Sequence, residues 1–135
     1  MKRKTCIVPL LILVGASSGS DLSKVIDALK AVESRNNPNA VSRDGGAVGV
    51  LQIRKPMVKE VNRILNLKHG GNKKFYAMAD RYDAQKSTDM AFIFYTFWRG
   101  RWPQMDDVEL GGRWYSPAGN APTWYKERLR EELKK

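Results

Sequence analysis

Residues 31–53 read AVESRNNPNAVSRDGGAVGVLQI, from Ala31 to Ile53, and two kinds of chain meet in them. Ahead of this stretch and into it, Val25, Ile26, Leu29 and Val32 recur at helical spacing and predict an amphipathic helix with one apolar stripe. Ser20 or Asp21 supplies its N-cap. Asn36, Asn37, Pro38 and Asn39 end it, because Asn favours turns and Pro cannot extend a helix. Gly45, Gly46 and Gly49 then punctuate a loop with room for one small hairpin. The run closes on an apolar segment carrying a single amide, Gln52.

Glu33 stands where the helix gives way to the loop. It follows Ile26 by seven residues and Leu29 by four, so it projects from the edge of the apolar stripe. It also lies in the last helical turn, where the helix dipole disfavours negative charge. Half-burial at such a place raises a carboxyl pKa. A carboxyl that keeps its proton near neutrality is what glycoside cleavage needs, because the departing oxygen must be protonated. The rival is a solvated helix-end glutamate, and spacing alone leaves both readings open.

The rest of the chain also reads as helical. Pro56 suits the first position of a second helix carrying Met57, Val61, Ile64 and Leu65, which His69-Gly70-Gly71-Asn72 breaks. Ser87 can cap the next helix, and Met90 to Trp98 is apolar nearly all round, as expected of a central core element. Phe92, Phe94, Tyr95, Phe97 and Trp98 are accordingly read as core. A short helical segment covers Met105 to Trp114, and Ser116 to Asn120 forms a loop. Pro122 starts a last helix with Tyr125, Leu129 and Leu133 on one face. The expected fold class is all-α with at most one small β-hairpin.

The chain has 135 residues, one domain's worth, long enough to bury a core without staples. Its 24 Lys+Arg against 14 Asp+Glu give a net charge of +10, which favours an anionic partner. Residues 1–20 form a separate segment: Lys2, Arg3 and Lys4, then apolar Ile7 to Val14, then small residues from Gly15 to Ser20. That order is expected of a secretory signal, with a retained N-terminal anchor as its variant. The domain proper is then 21–135, and its location is the periplasm, cell envelope or exterior. Cys6, the one cysteine, lies in the leading segment, so neither a disulfide framework nor a thiolate site is expected. His69 is the one histidine and has no partner of metal-ligand spacing, so no metal site is expected either.

The opening stretch carries more than helical spacing. Glu33-Ser34, then Asn37-Pro38-Asn39-Ala40-Val41-Ser42, then Gly46-Ala47-Val48-Gly49-Val50-Leu51-Gln52 resembles the signature of the bacterial and phage lytic transglycosylases with a goose-lysozyme-like fold. The loop from Ser42 to Ala47 is one residue longer than that family's commonest form. Arg81-Tyr82-Asp83 with Lys86-Ser87 resembles the middle of its small phage-type members. Near the end, Trp114 best matches the family's aromatic position, which leaves Tyr115 and Ser116 where Asn and Gly would stand. Tyr115 in a shifted loop is the other alignment.

The resemblance implies a lysozyme-like helical domain that cleaves the β-1,4 bond between N-acetylmuramic acid and N-acetylglucosamine. Glu33 would be its acid and then its base, closing a 1,6-anhydro ring on the muramic residue. Ser42, Gly49 and Gln52 would bind substrate beside Trp114, Tyr115 and Tyr125, although loop capping, turn duty or core packing would also explain them. Trp124 reads equally as core. Ser34 is expected to brace the helix end. No cofactor and no metal are implied, and the partner is the peptidoglycan glycan strand, met by a monomer.

Three rivals differ in chemistry. A hydrolytic muramidase needs a second carboxylate about 5 Å away, or further with room for water. Asp44 is the candidate, although Asp before Gly-Gly is a common turn residue. A basic module would bind DNA or anionic lipid, but the cations are scattered and no nucleic-acid motif is present. A non-catalytic basic wall-binding relative is allowed by the departure from the family pattern at Trp114 to Pro117.

Overall fold

The computed structural model describes residues 22–135. The leading segment read as a signal and the cap assigned to Ser20 or Asp21 lie outside the described residues. The described chain is helical: α1 (residues 22–34), α2 (Lys55–His69), a 3-10 turn (Met78–Tyr82), α3 (Ala84–Arg101), α4 (Asp107–Tyr115) and α5 (Thr123–Leu133). No described helix is long and apolar enough to cross a membrane. The expected hairpin shrinks to two antiparallel bridges, Val41 to Val48 and Val48 to Ile53. With no longer strand ladder among the described residues, this segment holds its shape through a few backbone bonds, such as the Val48–Ile53 pair, together with side-chain bonds.

α1 ends where the sequence turns polar, with Arg35 and Asn36 both in the left-handed region (φ 56 and 63). Its stripe is buried as expected, with Val25 and Leu29 wholly inaccessible. Side chains of that size each contribute about 1.5–3 kcal/mol on burial. α2 carries Pro56 one position later than expected, in its first turn, and stops at Gly70 (φ 78). α2 packs on α3, and α4 on α5. The core joins these pairs through Leu51 and Ile53 of the loop, Phe94 and Tyr95 of α3, and Leu110 of α4.

Two expectations for α3 change. Its cap is Asp83, whose carboxylate accepts from the Lys86 N–H at 2.9 Å. Ser87 lies inside the helix, fully buried, and its hydroxyl donates to the Arg81 carbonyl at 2.9 Å. The helix is also not buried all round. Met90, Ala91, Phe94 and Tyr95 face the core, while Phe92, Phe97 and Trp98 are half-buried on the flank. Arg101 lies over the Phe97 ring at 4.6 Å, so a cation covers part of that flank.

Candidate active site

The helix-to-loop junction builds one wall of a cavity of about 790 Å³, and Glu33 lines it. Ser34, the next residue, locks the junction. Its hydroxyl donates to the Val50 carbonyl at 2.7 Å and accepts from the Asn37 N–H at 3.0 Å, which is the bracing role expected of it. Residues 40–53 then fold into a tight lobe. The Ser42 N–H donates to the Ala47 carbonyl at 2.8 Å across it, and the Ser42 hydroxyl accepts from the Ala47 N–H at 2.9 Å. The same hydroxyl donates to Asp44 at 2.6 Å. The longer loop is thus absorbed in a closed turn.

A buried arginine supports the lobe from behind. Arg81, in the 3-10 turn, donates from Nη1 to the carbonyls of Gly46 and Ile53, both at 3.1 Å. Gly49 lies against the Arg81 backbone, in the left-handed region (φ 87), and a Cβ there would run into the Arg81 carbonyl oxygen. Only glycine meets both conditions. Gly49 therefore shapes the lobe but does not line the cavity.

Glu33 itself is held from the far end of the chain. The Tyr125 hydroxyl donates to Glu33 Oε2 in a short hydrogen bond, and Tyr125 is buried. Burial raises the Glu33 carboxyl from an ordinary 4.5 to about 7, against the opposing pull of the Tyr125 hydrogen bond and of the Arg54 and Arg128 charges. Tyr125 is pushed upward too, by its own burial first and then by the Glu33 charge, so it remains a donor. With Oε2 occupied, Oε1 has no hydrogen-bond partner among the described residues. That oxygen can carry the proton.

Trp114 and Tyr115 both line the cavity, in different ways. Trp114 is buried, donates from Nε1 to the Leu51 carbonyl at 2.8 Å, and stacks on Tyr95 at 5.8 Å. Tyr115 is half exposed and leans on Tyr125 with ring centroids 4.8 Å apart. Trp114 forms the fixed floor and Tyr115 the accessible ring. Trp124 departs from the core reading and is exposed beside Tyr115. Arg113 holds the following loop through the Pro117 carbonyl at 2.8 Å, and Pro117 reaches the cavity.

Gln52 also lines the cavity. Its Nε2 donates to the carbonyls of Ala40 and Gly49 at 3.1 and 3.0 Å, leaving Oε1 without a partner among the described residues. Ser42 reaches the cavity as well, but its hydroxyl is engaged in the loop. Asp44 is exposed and not part of the lining. The Ser42 hydroxyl, the Gly46 N–H and Arg54 hold its carboxyl well below the usual range, so it stays ionised. That is turn duty.

Arg54, Met57 and Glu60 also line the cavity, and the sequence did not single them out as site residues. Pro56, Met57 and Glu60 share one face at the start of α2, and that spacing was the available signal. Glu60 is bound at both oxygens by Arg63, each at 2.8 Å.

A family model described as Transglycosylase SLT domain matches residues 12–96. The match starts inside the leading segment, takes in Glu33 and the whole lobe, and stops before Trp114. No curated protein and no solved structure gives a significant match.

Proposed function

The chain belongs to the transglycosylase SLT domain family, peptidoglycan lytic transglycosylases that act outside the cytoplasm, and from that premise we propose that Glu33 is its acid and its base. The observation that carries the proposal is a carboxyl in the cavity wall whose burial raises it to about 7, with one oxygen held by Tyr125.

The proton on Oε1 passes to the oxygen that links muramic C1 to the next N-acetylglucosamine. The C1–O bond breaks as that oxygen departs as a hydroxyl. Positive charge develops at C1 and the ring oxygen, beside the new Glu33 carboxylate. The carboxylate then takes the proton of the muramic C6 hydroxyl, whose oxygen bonds C1 and closes the 1,6-anhydro ring. Glu33 ends protonated and no water is consumed. Tyr125 lowers the cost of the carboxylate intermediate without blocking its return to the acid. Gln52 Oε1 is suited to accept from an N-acetyl N–H or a sugar hydroxyl, and Tyr115 to stack on a sugar face. Trp114 fixes the floor on which they act, and Ser42 and Gly49 keep the lobe in shape.

Hydrolysis through a second carboxylate has less support. Asp44 does not line the cavity, and Glu60, which does, has both oxygens engaged by Arg63. Turbidity clearing of purified peptidoglycan by wild type and Glu33→Gln tests the proposal. General acid catalysis contributes about 10²–10⁴-fold, so the variant should lose at least that much. Equal clearing by both would remove Glu33 from the mechanism, and no clearing by either would favour a wall-binding role.

A further inference from the structure

Among the described residues, Arg54 is the one cation that lines the Glu33 cavity. It caps the start of α2, and its side chain is half exposed. Its Nη1 donates to Asp44 Oδ2 at 3.0 Å and its Nη2, more weakly, to Oδ1 at 3.4 Å. The guanidinium fork has further N–H groups, and these have no hydrogen-bond partner among the described residues. Asp44 is itself fixed from the other side by Ser42 at 2.6 Å and the Gly46 N–H at 2.9 Å. The carboxylate therefore works as a bracket that aligns Arg54 while leaving donors open. Gly46 leaves the space in which the guanidinium lies, since a Cβ there would stand 2.5 Å from Nη1. Arg63 is likewise paired by both oxygens of one carboxylate, Glu60, but it does not line the cavity.

A half-engaged guanidinium at a cavity wall is a receptor for a carboxylate. If the cavity takes a peptidoglycan strand, as proposed above, each muramic residue carries a lactyl ether. In stripped strands its carboxylate is free, and in intact strands it is amide-linked to a peptide stem that bears carboxylates of its own. We propose that Arg54, aligned by Asp44, binds a carboxylate of the muramic substituent and so selects muramic-containing strands over neutral glycan. The inference rests on the functional reading of the cavity and adds to it the feature of the substrate that the enzyme reads. The Arg54 charge also lies close enough to favour ionised Glu33, so a bound carboxylate would offset part of that pull and help keep Glu33 protonated.

The test compares wild type, Arg54→Gln, Arg54→Lys and Gly46→Ala on three soluble strands: stem-bearing, stem-free, and stem-free with the lactyl carboxyl amidated. Rates are taken at pH 5, where Glu33 is protonated in every variant, after urea unfolding confirms that each is folded. Arg54→Gln is expected to lower kcat/KM by about 10–100-fold on carboxylate-bearing strands, chiefly through KM, and to match wild type on the amidated strand. Arg54→Lys should recover part of the loss. Gly46→Ala, which pushes the guanidinium aside, should reproduce it in weaker form. Loss confined to stem-free strands identifies the lactyl carboxylate, and loss confined to stem-bearing strands identifies the stem. Equal loss on all three strands, or no loss on any, overturns the proposal. Wild type that cuts none of the three overturns the functional reading itself.

Discussion

Replacing Glu33 by Gln should make the protein more stable at neutral pH and leave it unchanged in acid. The folded-state pKa is raised from 4.5 to about 7 by burial. A carboxyl raised in this way gives stability that is fully present below the unfolded value and lost as pH rises through the folded one. The unfolded chain releases its proton from about pH 4.5, while the folded chain retains it until about pH 7. A shift of roughly 2.5 units at 1.36 kcal/mol each amounts to about 3 kcal/mol. Gln has nearly the same shape, stays neutral throughout, and can still accept from the Tyr125 hydroxyl. The stability difference, variant minus wild type, should therefore be near zero at pH 4, grow through pH 5–7, and level off near about 3 kcal/mol by pH 8. Urea unfolding of both proteins at pH 4, 5.5 and 8 measures it. With slopes of about 1–3 kcal/mol per molar urea, the variant's midpoint at pH 8 should lie about 1–3 M higher. All other titrating groups are common to both proteins and cancel. A difference that stays flat with pH, or a variant less stable than wild type at pH 8, would refute the buried-acid reasoning.

Three further outcomes follow from the same geometry. The alkaline limb of kcat/KM should fall about tenfold per pH unit above about pH 7, because only protonated Glu33 can donate; a profile flat to pH 9 would count against it. Tyr125→Phe removes a hydrogen bond that favours ionised Glu33, so that limb should move to higher pH, with about 1–3 kcal/mol of stability lost at pH 5. Gly49→Ala combines a left-handed backbone with a clash against the Arg81 carbonyl, so urea unfolding should show a loss of about 2–4 kcal/mol, whereas a loss under 1 kcal/mol would mean that the lobe is more yielding than described.

What could be read from the sequence follows the reach of each interaction. The α1 stripe, the edge position of Glu33 and the ends of α1 and α2 are set by residues within a turn or two, and spacing reports them. The Tyr125 bond to Glu33 spans 92 positions, and the Trp114 bond to Leu51 spans 63. Such pairings arise from how α4 and α5 pack beneath the lobe, and periodicity carries no record of that. Arg81 is a sharper case: a buried arginine looks like any surface cation in sequence, and its contacts lie 28 and 35 residues away. Ser42 and Asp44 were ambiguous because short polar side chains bond to loop backbone or to ligand with equal ease. The folded loop engages both. α3 misled through composition, since its aromatic residues on the flank are half covered by cations and neighbouring rings, not enclosed.

The most direct test of Glu33 as acid and base is mass spectrometry of the fragments released from purified peptidoglycan by wild type and by Glu33→Gln. Wild-type fragments should end in 1,6-anhydro-muramic acid, with no water incorporated, and the variant should release none above background. Reducing muramic ends from wild type, or anhydro fragments released by the variant at the wild-type rate, would contradict that role.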